Sequence, residues 1–363
     1  MDIKNKEGIS NEQMQLFMFC YFIGAYLLFN MGNAIKQDAW IASIIAAVGT
    51  IPIAFMYGKV MNLYPGKNIY DISEIVLGRI LGKLLNIILI LHSIFLGSYI
   101  LNDFTDFIKL TSLFNTPSIF PTIFISILSV WILLEGIEVL SSWTHFFIRI
   151  IVICIGITWV LLIPEMRLAN LHPIFYHGGK SILTESFKLV MYPFSEIFIF
   201  TTFFDYVDYN NKTKNIFIKP LIIGGIVSIL STIINIMVLG GEAYSIFYYS
   251  SYDCIKRLRF QGEFQRIEII VAVAFTIIQF VELNFCILGA FKGIKNVFSL
   301  KNDKSILIGV VCIVTIFSNI MFKSIMESME FSESIWPYYG VIIQVFIPIF
   351  ILICGLIKKN INN

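Results

Sequence analysis

Charged residues are scarce in this sequence, and the patterns that concentrate charge in nucleic-acid-binding proteins are absent. Only 14% of the 363 residues are charged, whereas 57% are hydrophobic and the mean hydropathy is +0.82. Soluble domains carry about 25% charged residues. The net charge of +2 is small, and no basic tract is interleaved with aromatic residues. The composition therefore excludes an ordinary soluble domain, argues against a nucleic-acid partner and predicts a polytopic membrane protein.

Cysteine and histidine are also few, with six and four residues. Five cysteines lie inside apolar runs and only Cys254 lies in a loop, which is not the pattern of a disulfide framework. No spacing is typical of a metal site, a nucleophile elbow or a phosphate-binding glycine loop. We therefore expect no enzymatic activity, no cofactor and no metal.

Ten apolar runs are long enough, at about 20 residues each, to cross a bilayer. Their approximate cores are Asn11 to Phe29, Ala39 to Val60, Leu81 to Phe107, Ile119 to Leu134, Val139 to Ile163, Leu183 to Tyr206, Leu221 to Leu239, Ile267 to Phe291, Ser305 to Phe322 and Trp336 to Ile357. With a cytoplasmic N-terminus, the inner segments carry fifteen Lys and Arg residues and the outer segments ten. The positive-inside rule then predicts that both termini are cytoplasmic.

Two short sequence patterns on the predicted inner side indicate particular local structures. Ser10 and Gln13 form an S-x-x-Q capping box, which predicts the start of the first helix. Residues 68–77 carry isoleucine and valine on one helical face with Asp71 and Glu74 opposite, which predicts a short helix on the inner membrane surface.

The most informative stretch is Met191 to Glu196, inside the sixth apolar run. Pro193 removes a backbone donor and clashes with the preceding turn, so the helix should open there. In a membrane an open helix is tolerated where protein or water satisfies its carbonyls, and an ionisable side chain such as Glu196 at that depth indicates function. The first run has a weaker interruption at Ile23-Gly24-Ala25. Broken helices at matching positions of two halves predict an inverted-repeat transporter fold.

With these residues in place, the chain resembles the B subunits of endospore germinant receptors, the spore germination permease family of the amino acid, polyamine and organocation transporter superfamily. The likeness covers nearly the whole chain. Its motifs are Ser10 with Gln13, Gly24, Gln37 to Ile41, Tyr64 to Lys67, Leu81 to Lys83, Glu135 to Glu138, Asn170-Leu171 with Pro173, Pro193-Phe194 with Glu196, Arg266 with Glu268, and Trp336-Pro337.

The resemblance implies a single all-α transmembrane domain over residues 1–363, with ten helices in a LeuT-like inverted five-helix repeat. Repeat one spans about 9–163, repeat two about 183–357, and helices one and six are broken. It further implies a subunit in the spore inner membrane that senses a small nutrient, usually an amino acid, beside partner A and C subunits. Ala25-Tyr26 departs from the family pattern, in which a smaller polar residue follows the glycine.

The two breaks predict a ligand site with opposite polarities. The amides of Ala25 and Tyr26, at a half-helix N-terminus, suit the carboxylate of an amino acid. The full candidate set is Gly24, Ala25, Tyr26, Tyr192, Pro193, Phe194, Ser195 and Glu196.

On the side of helix six, the freed carbonyls of Tyr192 and Phe194 and the hydroxyl of Ser195 could receive the ligand's ammonium. Glu196 has three interpretations: it pairs with the ammonium, it acts as a protonatable gate, or it caps the second half of its helix, where acidic residues are favoured.

Two charged residues deep in other spans predict a further contact. Arg149 in helix five and Glu282 in helix eight reach a depth of roughly 15 Å from the cytoplasmic side. Because an isolated charge there is costly, we expect them to pair or to share a polar network, either as a structural contact or in place of a coupling ion. Asp103 and Asp106, near the outer end of helix three, are expected to face water.

Three functional readings remain open on the sequence. The preferred one is a germinant receptor subunit that binds a nutrient between helices one and six. The alternatives are a proton-coupled amino acid permease acting alone, and a scaffold or part of an ion-conducting complex whose pocket is vestigial.

Overall fold

The computed structural model describes residues 8–207, 215–258, 267–300 and 304–362, and this part of the chain is almost entirely helical. An isolated parallel β-bridge pairs Ile9 with Val207. The all-α prediction is therefore confirmed. Arg266, one of the motif residues above, lies outside the described residues.

Fifteen α-helices follow one another within the described ranges. The first seven are α1 (Asn11–Leu28), α2 (Ala39–Leu63), α3 (Ile69–Leu77), α4 (Arg79–Thr111), α5 (Ile119–Glu135), α6 (Ile137–Leu162) and α7 (Gly178–Met191). The others are α8 (Ile218–Leu239), α9 (Gly241–Ile246), α10 (Ser250–Lys256), α11 (Glu268–Phe298), α12 (Lys304–Ile320), α13 (Ile325–Ser334), α14 (Trp336–Gly340) and α15 (Ile347–Asn362). Four 3₁₀ segments of the described chain lie between these helices: Asn33–Asp38 before α2, Ile163–Glu165 and Leu168–Leu171 after α6, and Phe194–Tyr206 after α7. A π-helical segment, Val341–Phe346, joins α14 to α15.

Seven helical segments of the described chain are long and apolar enough to cross a membrane, and an eighth is counted if α12 and α13 form one bent span. These two helices meet at 101°. The shorter apolar helix α5 and the 18-residue α1 coincide with the two other predicted spans. Every predicted span therefore overlaps a helix, while the count of ten crossings and the division into two repeats stay predictions.

Local chemistry sets several helix boundaries. The Ser10 side chain accepts a hydrogen bond from the Gln13 amide at 3.2 Å, and the Gln13 side chain accepts one from the Ser10 amide at 2.8 Å, so the capping box is confirmed. Gly136 joins α5 directly to α6 with a φ of 103°, which L side chains rarely adopt. The helical boundary between the fourth and fifth predicted spans is thus set by one glycine.

The helix predicted at residues 68–77 is present as α3, capped by the Asn68 side chain, which accepts from the Asp71 amide at 3.0 Å. It is tied to α11, because the Asn296 side chain donates to the Asp71 carboxylate at 2.9 Å. Half-burial raises the pKa of the Asp71 carboxyl above its ordinary value. The Tyr70 hydroxyl also donates to the Gly289 carbonyl of α11 at 2.9 Å.

Helix α1 lies at the centre of the molecule. It packs against α8, α11 and the segment Phe194–Tyr206, and its residues from Phe17 to Leu28 are buried without interruption. Helix α4 packs along α11 on one side of this centre. This arrangement brings together the first, third, sixth, seventh and eighth predicted spans, of which the sixth contains Pro193.

Candidate functional site

The sixth predicted span is interrupted where the proline predicts it. Helix α7 ends at Met191, Tyr192 adopts an extended conformation, and the chain resumes as the 3₁₀ segment Phe194–Tyr206. The Tyr192 amide still donates to the Lys188 carbonyl at 2.9 Å, and the Glu196 amide donates to the Pro193 carbonyl at 3.2 Å. Because proline has no N–H, the α-helical hydrogen-bond pattern stops at this position.

The first predicted span differs from the expectation. Helix α1 is continuous through Gly24 and leaves helical geometry at Phe29, whose φ and ψ are −82° and 155°. Within an α-helix each amide donates to the carbonyl four residues earlier. In this conformation, therefore, the amides of Ala25 and Tyr26 lie inside a regular helix, and the predicted break at Gly24 is wrong.

Gly24 has a different role from the one its sequence context predicted. A Cβ atom added at Gly24 would lie 2.1 Å from Oε1 of Glu282 and 2.9 Å from Cγ2 of Ile278. The absence of a side chain on α1 thus leaves the space in which the Glu282 carboxyl of α11 lies. Both residues were singled out from the sequence, but the sequence gives no signal that they touch.

Phe194, the first residue after the break, connects the sixth predicted span to α1 through aromatic contacts. Its ring is fully buried, and its centroid lies 5.7 Å from that of Phe22 and 5.6 Å from that of Tyr26. Two of the predicted ligand residues, Tyr26 and Phe194, are therefore direct neighbours. Their side chains pack against each other at the position predicted for the ligand.

Ser195 brings two further helices to the break. The Tyr57 hydroxyl of α2 lies 3.2 Å from the Ser195 carbonyl oxygen and 2.7 Å from that of Gln344. The buried Ser195 hydroxyl and the buried Gln344 amide have no hydrogen-bond partner among the described residues. Sequence reasoning missed Tyr57 and Gln344, because a tyrosine and a glutamine inside apolar runs carry no positional signal.

Three buried carboxyl groups lie on segments that pack near the break. Asp103 of α4, Glu196 and Glu282 of α11 are 4%, 4% and 6% exposed, and they are close enough for their charges to interact. Oε1 of Glu196 and Oε1 of Glu282 have no hydrogen-bond partner among the described residues. The expectation that Asp103 faces water is wrong, since its side chain is buried between neighbouring helices, whereas Asp106 is partly exposed.

None of the ion pairs in the described ranges includes one of these three acids. Ionised carboxylates that are buried together without a cation repel one another and lose hydration. The cluster of Asp103, Glu196 and Glu282, which we call the acidic cluster, is therefore suited to receive a cationic group.

Arg149 does not supply that cation. It is exposed on α6, its guanidinium contacts Nε2 of His145 one turn earlier, and Glu282 points to α1 instead. The predicted ion pair between Arg149 and Glu282 is absent from this conformation. The physical reason is the rotation of α6 about its axis, which turns Arg149 away from α11.

A small cavity approaches the break from the side of Tyr192. It has a volume of about 70 Å³ and is lined by Phe29, Asn30, Gly32, Tyr99, Lys188, Tyr192, Tyr248 and Glu333, among others. At roughly 10–15 Å³ per water this space holds a few water molecules. Lys188 pairs with Glu185 at 2.6 Å in its wall, so a polar path leads towards the interrupted helix.

His92 of α4 makes a polar contact to another helix in the middle of a span. Its Nδ1 lies 2.9 Å from the Tyr339 hydroxyl of α14, an interhelical hydrogen bond. Trp336 packs beside it and beside Tyr99 and Tyr192, with ring centroids 5.6 to 6.3 Å apart. These aromatic contacts hold the end of α7 against α4 and α14.

The sequence matches a family of spore germination proteins. Residues 8–331 match the family model described as "Spore germination protein". The chain is 22% identical over 359 residues to Spore germination protein KB of Bacillus subtilis (strain 168), covering 98% of this chain and 96% of that protein. It is 23% identical over 321 residues to Spore germination protein YndE of the same organism, covering 85% and 86%.

Solved structures of transporters share the fold. Mhp1, a nucleobase-cation-symport-1 family transporter in a closed conformation with bromovinylhydantoin bound, aligns with a TM-score of 0.66 at 12% identity, over 94% of this chain and 78% of that chain. MhsT in complex with L-phenylalanine aligns with a TM-score of 0.63 at 12% identity, over 97% and 99%. These similarities confirm the LeuT-like fold.

Proposed function

We propose a function from the premise that this chain belongs to the spore germination protein family. It is a multi-pass membrane protein related to germination, with a transporter fold. We propose that it is the membrane subunit of a nutrient germinant receptor, which binds an amino acid or a similar small nutrient where α1 meets the break at Pro193.

The observation that carries this proposal is the set of buried polar groups left without partners at that meeting point. The Ser195 hydroxyl, Oε1 of Glu196 and Oε1 of Glu282 all lack a hydrogen-bond partner among the described residues. Leaving such groups unsatisfied costs about 1–3 kcal/mol each, and more when they are charged. A ligand that supplies a cation and donors would remove this cost.

In this proposal the ligand's ammonium group pairs with Glu196, and its remaining polar groups contact the Ser195 hydroxyl and the carbonyls of Tyr192 and Phe194. Contact between a ligand carboxylate and the amides of Ala25 and Tyr26 requires α1 to unwind at Gly24 when the ligand binds. Glu282 lies against that position and would have to move first.

Binding acts as a signal only if the ligand prefers one shape of the protein over another. We propose that separation of Phe194 from Tyr26 and of Glu282 from Gly24 is the change that the ligand stabilises. The altered shape is then passed to partner A and C subunits in the spore inner membrane, with both termini of this chain on the core side.

The test is germination of spores that carry Glu196→Gln, compared with Glu242→Gln as a matched control. Glu242 pairs with Lys36, and its side chain is 80% exposed, so the same chemical change there leaves the centre intact. We expect Glu196→Gln to lose most of the response to amino acids and Glu242→Gln to retain it. Thermal stabilisation of the purified protein by a panel of amino acids measures binding directly.

The competing function is a proton-coupled amino acid permease that acts alone, and the transporter fold of the two structural neighbours favours it as the second candidate. Uptake of labelled amino acids into liposomes separates the two. Strong uptake by the purified chain, together with normal germination of the Glu196→Gln spores, would establish the permease and refute the receptor.

A further inference from the structure

Arg149 occupies an unusual position, halfway along a membrane-spanning helix and on its exposed side. Helix α6 has 26 residues from Ile137 to Leu162, so Arg149 lies roughly 18–20 Å along the axis from either end. The hydrocarbon core is about 30 Å thick, which places this residue near its middle. A cation exposed to lipid at that depth costs several kcal/mol.

The described residues provide Arg149 with a histidine neighbour and no ion-pair partner. Its guanidinium contacts Nε2 of His145, and the ion pairs in the described ranges do not include it. His145, Arg149, Val152 and Gly156 follow one another at spacings of four, three and four residues, so they share one face of α6. An anion that approached this face would contact the guanidinium.

That face borders a groove between α1, α6 and α8, which we call the α6 groove. The groove has a volume of about 680 Å³, and most of its lining is apolar, including Phe19, Ile155, Trp159 and Ile223. Its polar lining residues are Glu12, Gln15, His145 and Lys219, and Arg149 lies beside the groove on the same face of α6. Gly156 also lines it, and a Cβ added at Gly156 would have no heavy atom within 4 Å. Small residues on an open face allow a second helix to approach closely in a membrane.

The charge and depth of Arg149 narrow the possible occupants. A phospholipid phosphate stays at the membrane surface, roughly 15 Å from the middle of the hydrocarbon core. A second copy of this chain offers no matching group within the described ranges, because the carboxylates classed as exposed there lie at helix ends or in short outer helices. The remaining chemistry is a carboxylate held at mid-membrane by another protein.

We propose that the α6 groove binds a transmembrane helix of a different membrane protein, and that an Asp or Glu near the middle of that helix pairs with Arg149. This inference rests on the proposed receptor function for the existence of a membrane partner, and it concerns a surface separate from the ligand site. His145 and Gly156 would flank the ion pair and allow the close approach.

The first test uses the full-length chain in liposomes with synthetic 23-residue Leu/Ala transmembrane peptides that differ only at the central residue. Association is measured by energy transfer between labels on the two. We expect the peptide with central Asp to bind at least tenfold more tightly than the peptide with central Leu. The preference should persist in Arg149→Lys and disappear in Arg149→Gln. In Arg149→Asp, a peptide with central Lys should become the preferred one.

Equal binding of both peptides by the wild-type chain, or an unchanged preference in Arg149→Gln, overturns the proposal. Thermal unfolding of each variant shows whether it is folded, and the reversed preference expected in Arg149→Asp keeps the test decisive if Arg149→Gln is unstable. Amino acid binding by Arg149→Gln is expected to be normal, so failure of the ligand proposal and failure of this one are distinguishable.

The second test identifies the occupant in spores. A photo-crosslinking residue, p-benzoylphenylalanine, replaces Gly156 in the groove or, as a control, Ile127 of α5, which is 61% exposed and lies outside the groove. We expect a protein adduct from the Gly156 position only, and we expect its cross-linked peptide to come from a membrane helix with a central acidic residue. Adducts with lipid alone, with a second copy of this chain, or with a helix that lacks a central acid would each refute the proposal.

Discussion

The contact between Gly24 and Glu282 allows a sharp prediction about the variant Gly24→Ala. The added methyl would lie 2.1 Å from Oε1 of Glu282 and 2.9 Å from Cγ2 of Ile278, both closer than packed atoms come. Glu282 and Ile278 are 6% and 0% exposed, so neither has open space to move into. Something must therefore shift in a closely packed interior.

The cost follows from which atoms move. Overpacking of a core typically costs 1–3 kcal/mol. The carboxyl group is the end of a flexible side chain and rotates more easily than the buried Ile278 methyl, which favours the lower part of that range, about 1–2 kcal/mol. Against this, replacing a helical glycine with alanine gains up to about 1 kcal/mol through helix propensity. We expect a net loss of stability together with a displaced Glu282.

The assay is thermal unfolding of the purified protein, with Gly309→Ala as the control. Gly309 lies in α12, and a Cβ added there would have no heavy atom within 4 Å, so only the propensity gain applies. The double variant Gly24→Ala with Glu282→Ala should be less destabilised than the sum of the two single variants, by about 1 kcal/mol. If Gly24→Ala behaves as Gly309→Ala does, the Glu282 carboxyl does not occupy the space beside Gly24.

Three further predictions address other contacts of the site. Tyr57→Phe removes a hydroxyl that donates to the carbonyl of Gln344 in the last span and lies beside the break. This should lower the free energy of unfolding by about 1 kcal/mol. The control Tyr338→Phe, at a side chain that is 68% exposed, should leave it unchanged. Phe194→Ala removes a fully buried ring and should cost about 3–5 kcal/mol, so Phe194→Leu, with a smaller loss, is the variant to compare in germination assays. Burial raises the pKa of Asp71 above its ordinary value of 3.8. The wild-type chain should therefore lose stability relative to Asp71→Asn as the pH rises through and above 3.8. Profiles of unfolding temperature against pH that run parallel in the two proteins would contradict this.

The Asp71 prediction follows from proton linkage. With a folded-state pKa above the unfolded one, the folded chain binds more protons between the two values, so stability is greatest below the unfolded pKa and declines as the pH rises to the folded one. The amide at Asp71→Asn has no such titration. The comparison therefore isolates this carboxyl from the other acids of the chain.

Features that depend on residues adjacent in the chain could be predicted from the sequence. Low charge and long apolar runs determined a helical membrane protein, because a bilayer requires every backbone group to be bonded internally. Pro193 determined the break in the sixth predicted span, because a proline lacks the N–H that an α-helical hydrogen bond needs, whatever the helix packs against. Ser10 with Gln13 and the apolar face of α3 are local patterns of the same kind, and the structure contains both.

Features that depend on how helices rotate and pack against one another were decided by the tertiary structure alone. Gly24 suggested a broken helix, yet α1 continues through it, and the missing side chain leaves room for Glu282 of α11. The sequence predicts similar depths for Arg149 and Glu282, but depth does not determine the direction in which a side chain points around the helix axis. Asp103 is enclosed for the same reason. The sequence thus predicted the break at Pro193, whereas its neighbours, the acidic cluster and α1, are set by packing between distant segments.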